Sequence, residues 1–218
     1  FMGRNALDAA ALAYQGLGLL RQQLPVSDRI HAIIDNGGQT PNLIPQTASL
    51  HINIRSRYAP TLRALSHRIE DVLHGAALMA GVQGDIHWDS SPMTMPVRSN
   101  QTLGQRWVLA QREIGRNPYP AGTISDTLAA STDFGNISLR LPGIHPLIQI
   151  APEGTGLHTA EFAAAAQSPR AEEAALDGAY GLAVVALDFL TDDALAADVQ
   201  AEFEKAGGAV QVQTYFDS

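Results

Sequence analysis

The stretch from residue 31 to residue 57, HAIIDNGGQTPNLIPQTASLHINIRSR, constrains the fold more than any other part of the chain. HAIID is an Ile-rich apolar run, the composition of a buried strand. Asn36-Gly37-Gly38 then forces a turn, because glycine takes positive φ at little steric cost. Pro41 and Pro45 keep the residues around them out of helix. Leu50, Ile52 and Ile54 alternate with His51, Asn53 and Arg55, the period-2 pattern of a strand with one face buried. Three groups able to grip an anion or a carbonyl lie along this strand-turn-strand unit: His31, Asn42 and Arg55.

The flanks read as helices. Asn5 is placed to cap one, with Asp8 near its positive end. Leu7, Ala10, Ala11, Tyr14, Leu17 and Leu20 then follow helical spacing, and the helix should end near Pro25. Pro60 suits the start of a second helix, whose apolar stripe is Leu62, Leu65, Ile69, Val72, Leu73 and Ala76, with Gly81 as terminator. Gly84 to Trp88 reads as a short strand. The order is α-β-β-α-β, and one further strand in front would complete the β-α-β-β-α-β ferredoxin-like plan.

Residues 89–97, with two serines and two prolines, form the best linker. Asn100 opens a third helix carrying Leu103, Trp107, Ala110 and Ile114 on one face, with Gly115 after it. Residues 117–130 read as loop with room for a short strand. Ile137 to Leu141 and Pro146 to Ile150 are strand candidates separated by Pro-Gly. Ser168-Pro169 opens an alanine-rich helix, 169–190. Thr191-Asp192-Asp193 opens a last helix to Ala206, and 209–216 reads as a strand or a loose tail.

Composition narrows the function classes. A formal charge of −8 over 218 residues, with no basic cluster, disfavours nucleic acid. The absence of cysteine removes disulfides, thiolate chemistry and cysteine-based zinc sites. No uninterrupted apolar run approaches the ~20 residues of a membrane span, so no membrane partner is expected. The first residues carry no basic region followed by an apolar core, and a cytoplasmic location is the default.

The order H-x-x-x-x-N-G-G-x-x-P-N-x-I-P, followed by a strand ending in arginine, resembles the lid (dimerisation) domain of the M20 metallopeptidase and amidohydrolase family. STDFGN (131–136), IHPLIQI (144–150) and GTGLHTAEF (154–162) resemble the C-terminal catalytic segment of that family, in its aminobenzoyl-glutamate-hydrolase-like and dipeptidase-like branch. The resemblance runs from Gly3 to about Leu190. It implies an α/β chain in two parts. Residues 1–92 would be an α+β, ferredoxin-like lid lacking its first strand, and 93–218 the C-terminal part of a zinc-peptidase-like α/β catalytic domain. The chain would then be a C-terminal fragment, and the strand near Ile86 would lack its neighbour.

The same resemblance assigns roles. His158 follows Gly154-Thr155-Gly156, and a neutral imidazole is a common ligand of divalent metals. By residue pattern alone, a loop histidine before a helix is the commoner explanation. The resemblance implies instead that His158 ligates one of two adjacent metal ions, usually zinc, with Glu161 supporting it from behind. Two such ions would hold a bridging water, lower its pKa and polarise the scissile carbonyl. The His-x-Asp pair, the metal-binding Glu-Glu pair and the general-base glutamate of the family are missing. Glu172-Glu173 sits in the alanine-rich helix and reads as a solvated face. The chain alone should therefore be inactive.

His31 resembles the lid histidine that reaches the substrate carbonyl oxygen, Asn42 the asparagine that hydrogen-bonds substrate, and Arg55 the arginine that clamps a substrate carboxylate. Arg57, two residues on, rivals Arg55. Taken singly, each has an ordinary alternative: a strand-end histidine, plain turn chemistry, an outward arginine beside a surface acid. Asp133 resembles an acidic residue that orders the substrate loop, with a turn-forming aspartate as the alternative. The implied protein hydrolyses an amide bond of an acyl-amino acid or dipeptide-like substrate bearing a carboxylate, and forms homodimers through the lid. Two alternatives stand beside it: a non-catalytic ferredoxin-like module that dimerises or binds a small acid without metal, and an inactive family member kept for structure.

Overall fold

The computed structural model describes residues 3–88, 93–119, 123 and 132–216. It is a mixed helix and strand structure, broadly α/β, and its described residues fall into two compact units. The first takes the described residues of 1–96, 124–135 and 211–218; the second takes those of 97–123 and 136–210.

In the first unit α1 (Ala6–Leu20) is followed by β1 (Arg29–Asn36), β2 (Ser49–Arg55) and α2 (Ala59–Ala80). α1 starts at Asn5 because its side chain accepts from the Leu7 N–H at 2.9 Å, satisfying an otherwise orphaned helix donor. Gly81 ends α2 at φ +67°, the left-handed cap that glycine adopts without strain. β1 and β2 pair antiparallel with Ile30 opposite Ile54, Ala32 opposite Ile52 and Ile34 opposite Leu50. The even-numbered side chains near the Arg29 end turn to the helices, where Leu17, Leu20, Ile30, Leu65 and Ile69 form the core and Ala32, Ile52 and Ile54 pack against it. Each such aliphatic side chain contributes ~1.5–3 kcal/mol when fully buried.

A buried polar clasp closes the open end of the ribbon. Asp28 precedes β1 and Ser56 follows β2. The Ser56 hydroxyl donates to Asp28 Oδ1 at 2.7 Å, and Ser27 reaches the same oxygen at 3.3 Å. This gives the buried carboxylate the partners it requires.

The second unit is helical. α3 (Gln101–Glu113) packs with α6 (Pro169–Thr191) and α7 (Asp193–Lys205) around Leu103, Trp107, Val185 and Val199. The short helix α4 (Phe134–Ser138) begins in residues of the first unit and ends in residues of the second, and α5 (Ala160–Ala165) precedes α6. Arg106 pairs with Asp188, and Arg116 pairs with Asp177 at 2.5 Å, so two acids of α6 meet arginines of α3 and its C-terminal extension. α6 is the one described helix long and apolar enough, by length and composition, to cross a membrane. Glu172, Glu173, Asp177 and Asp188 interrupt its apolar run in the sequence. Arg98 is a second fastening point: its guanidinium donates to Ala206, Leu139 and Gly208 carbonyls and lies over the Phe203 ring, 4.6 Å from its centroid. Burial lowers its pKa, and the Glu204 charge opposes that shift.

Three strand expectations fail. Gly84–Trp88 forms no ladder, although Trp88 is anchored by donating to Glu70 at 2.9 Å. Residues 137–141 end a one-turn helix and enter a turn, with Arg140 and Leu141 N–H groups returning to the Ile137 carbonyl. Residues 146–150 form no ladder, although exposure alternates residue by residue along 144–150. Strand propensity creates a strand only where a neighbour supplies hydrogen bonds, and no described strand runs beside these segments. The tail at 209–216 contains a 3-10 turn at Val212–Thr214.

Candidate substrate-binding face

The core pattern decides what the ribbon shows to solvent. With Ile30, Ala32, Ile52 and Ile54 turned to the helices, the opposite face carries Arg29, His31 and Ile33 from β1 and Arg55, Asn53 and His51 from β2. His31 stands directly across the ladder from Asn53, and Arg55 lies one same-face position further along. Arg55 Nε donates to Asn53 Oδ1 at 3.3 Å, which ties the guanidinium to the His31 register position. His31, Asn53 and Arg55 are exposed. A cationic group therefore sits beside an imidazole on one accessible face, two features that suit a carboxylate and a carbonyl respectively.

Asn42 lies elsewhere in the unit, in the β1–β2 connection. That loop turns at Gly38, φ +109°, whose N–H donates to Asn36 Oδ1 at 3.1 Å. Asn42 lines an open depression of about 420 Å³ with Asn5, Gly38, Ile44 and Pro45. Neither His31 nor Arg55 lines it. Asp133 is exposed and accepts from the Thr132 hydroxyl at 3.2 Å, the local contact of a turn aspartate. Arg57 lies beyond the end of the ladder.

In the second unit His158 is exposed and takes φ +62°, the one positive φ at a described non-glycine residue. Thr159 follows it as the N-cap of α5, donating to the Gly156 carbonyl at 2.8 Å and accepting from the Phe162 N–H at 3.2 Å. Glu161 is exposed in the first turn of that helix. Among the described residues no three His, Cys, Asp or Glu side chains come together as a metal-binding group. His158 and Glu161 by themselves do not compose a catalytic metal site, which takes about three protein ligands.

No family model matches the chain. Among curated proteins, the Xaa-Arg dipeptidase of Mus musculus is 37% identical over 202 residues, 93% of this chain and 46% of the relative. The Homo sapiens Xaa-Arg dipeptidase is 35% identical over the same shares. One of the p-aminobenzoyl-glutamate hydrolase subunits of Escherichia coli (strain K12) is 23% identical, across 94% of this chain and 53% of its own.

The chain belongs to the M20 family of peptidases and amidohydrolases.

It spans about half the length of the curated relatives it matches. Those M20 relatives are hydrolases by name, acting on dipeptide or acyl-amino-acid amides. Two features of the ribbon face were not singled out from the sequence: Asn53 opposite His31, and Arg29 opposite Arg55. Both are visible as odd-numbered positions of alternating strands, but which residue faces which depends on the register. That register is set by nonlocal packing.

Proposed function

We propose that this chain supplies the substrate-holding part of an M20 hydrolase that cleaves an amide bond in an acyl-amino acid or dipeptide-like substrate. One observation carries the reading: His31 and Arg55 share the exposed face of the β1–β2 ribbon, opposite the face that packs on the helices. Arg55 takes the substrate carboxylate through its planar fork of N–H donors. His31 directs an imidazole N–H at the amide carbonyl oxygen, where negative charge accumulates as the carbonyl becomes tetrahedral. Asn42 adds a hydrogen bond from the β1–β2 connection, and Asp133 orders a loop beside the substrate. His158 is assigned as a single ligand to a divalent metal, zinc by family resemblance, with Glu161 behind it. The described residues do not complete that site, so the chemistry assigned to this chain is binding and orientation of the amide.

In this reading residues 1–92 are a lid of ferredoxin-like plan, supported by the order α1-β1-β2-α2, and the lid pairs with a second copy. The test is a titration of the isotopically labelled chain with N-benzoylglycine, monitored by NMR. Binding should perturb the amide signals of residues 29–33 and 51–55. Arg55→Gln should weaken binding about tenfold, the scale of one charge-assisted contact. Perturbation confined to other regions, or an Arg55→Gln variant that binds as the wild type does, would refute the assignment.

A further inference from the structure

We propose that Arg29 is the second arm of the carboxylate clamp, so that Arg29 and Arg55 grip one substrate carboxylate from the two strands together. The proposal rests on reading the exposed ribbon face as the substrate-holding face. Its geometry comes from the register: Arg29 and Arg55 are direct partners across the antiparallel ladder. Such partners have Cβ atoms about 5 Å apart on the same face. His31 is two residues along β1, so it follows on that face, and the order along the ribbon is a pair of arginines and then an imidazole.

Two like charges at one register position weaken a ladder. A carboxylate bound between them adds two attractions that offset the repulsion. Arg29 is also held in place. It is half-buried, and its Nη1 donates to the carbonyls of Val26 and Asp28, the latter at 2.8 Å. Arg55 is tethered through Asn53 in a similar way. A guanidinium anchored before substrate arrives loses less freedom on binding than one that must be ordered. Arg57, the alternative clamp residue, lies beyond the last pair of the ladder, so it lacks this geometry.

The experiment compares N-benzoylglycine with N-benzoylglycinamide, which keeps the amide and the ring and lacks the carboxylate. The wild-type chain should bind the acid more tightly. Arg29→Gln should weaken the acid about tenfold and leave the amide unchanged, and Arg29→Lys should recover part of the loss because it restores the charge without the fork. Circular dichroism and dispersed amide spectra check that each variant is folded, and Arg29→Lys serves as the test if Arg29→Gln is not. An Arg29→Gln chain that prefers the acid as strongly as the wild type, while Arg55→Gln loses the preference, overturns the two-armed clamp and leaves the ribbon reading intact. A wild-type chain with no preference for the acid overturns both.

Discussion

Replacing Glu202 tests whether the second unit is held together by electrostatics at the start of α3. A helix presents four N–H groups with no intrahelical acceptor. In α3 all four are accounted for. Asn100 donates to the Gly143 carbonyl at 2.9 Å, Gln101 and Thr102 donate to the Glu202 carboxylate at 2.5 and 2.9 Å, and Leu103 donates to the Asn100 side chain at 3.0 Å. The Thr102 hydroxyl adds a third bond to Glu202 at 2.7 Å. Glu202 belongs to α7, so these contacts also fasten α7 to α3. Burial raises the Glu202 pKa, but the two backbone donors and the hydroxyl outweigh it, and the net shift is downward. Hydrogen bonds to a charged group contribute ~1.5–3 kcal/mol each. Glu202 is only partly buried, so water replaces much of this after removal, and the loss for Glu202→Ala should be about 2 kcal/mol, near the upper end for a capping residue. That is about 30-fold in the folding equilibrium. A folded-state pKa below the unfolded value of about 4.3 means the ionised group stabilises above that value, and the stabilisation is lost as pH falls through the folded pKa. Urea unfolding followed by tryptophan fluorescence should therefore show wild type and the isosteric Glu202→Gln furthest apart near neutral pH and converging in acid. A gap of equal size at neutral and acid pH would refute the charge argument. No gap at neutral pH would refute the contact itself.

Four further outcomes are expected. Leu65→Ala removes a side chain 1% exposed at the centre of the first unit's core and should cost ~2–5 kcal/mol, read as a lower urea midpoint at unchanged slope. Gly181→Val places a Cβ 2.6 and 2.8 Å from Trp107 ring carbons, so overpacking of ~1–3 kcal/mol should appear with a shifted tryptophan emission; unchanged stability would show that α3 and α6 have room to part. Ser168→Ala removes the acceptor of the Ala171 N–H, 3.3 Å away, and should cost ~1 kcal/mol in thermal unfolding by circular dichroism. Sedimentation should give twice the chain mass if the proposed lid pairing holds, and a monomer at all accessible concentrations would rule it out.

Local chemistry was legible from the sequence and nonlocal pairing was not. Asn5, Asn100, Ser168 and Asp192 open helices where side-chain acceptors meet orphan N–H groups a few residues away, and Gly81 closes one with a single dihedral angle. These signals need no knowledge of the rest of the chain. Which face of a helix is buried needs more: Tyr14, at helical spacing with Leu17, is 47% exposed, while Ala13 is buried. The segments 84–88, 137–141 and 146–150 had strand composition, yet a strand depends on the backbone beside it. For the site, spacing put His31 and Arg55 in neighbouring strands, but only the register places Asn53 and Arg29 opposite them. Asn42 lies in a loop whose path is set by Gly38 and Pro45, and its separate pocket could not be read from order alone.

The register that brings His31 and Arg55 to one face is itself protected by the core. A one-residue slip of β2 would turn Ile52 and Ile54 to solvent and Arg55 toward Leu17 and Leu65. Burying an uncompensated guanidinium costs several kcal/mol, on top of two lost aliphatic contacts of ~1.5–3 kcal/mol each. The total is of the order of a whole domain's stability, so the slipped ribbon is not a competing state. The Asp28–Ser56 clasp adds a second constraint, since only the observed register brings the residue before β1 to the residue after β2. Substitutions that keep the apolar alternation should thus leave the arginine face in place even where they change its chemistry. That separation makes exchanges at the exposed His31 and Arg55 clean probes of binding rather than of folding.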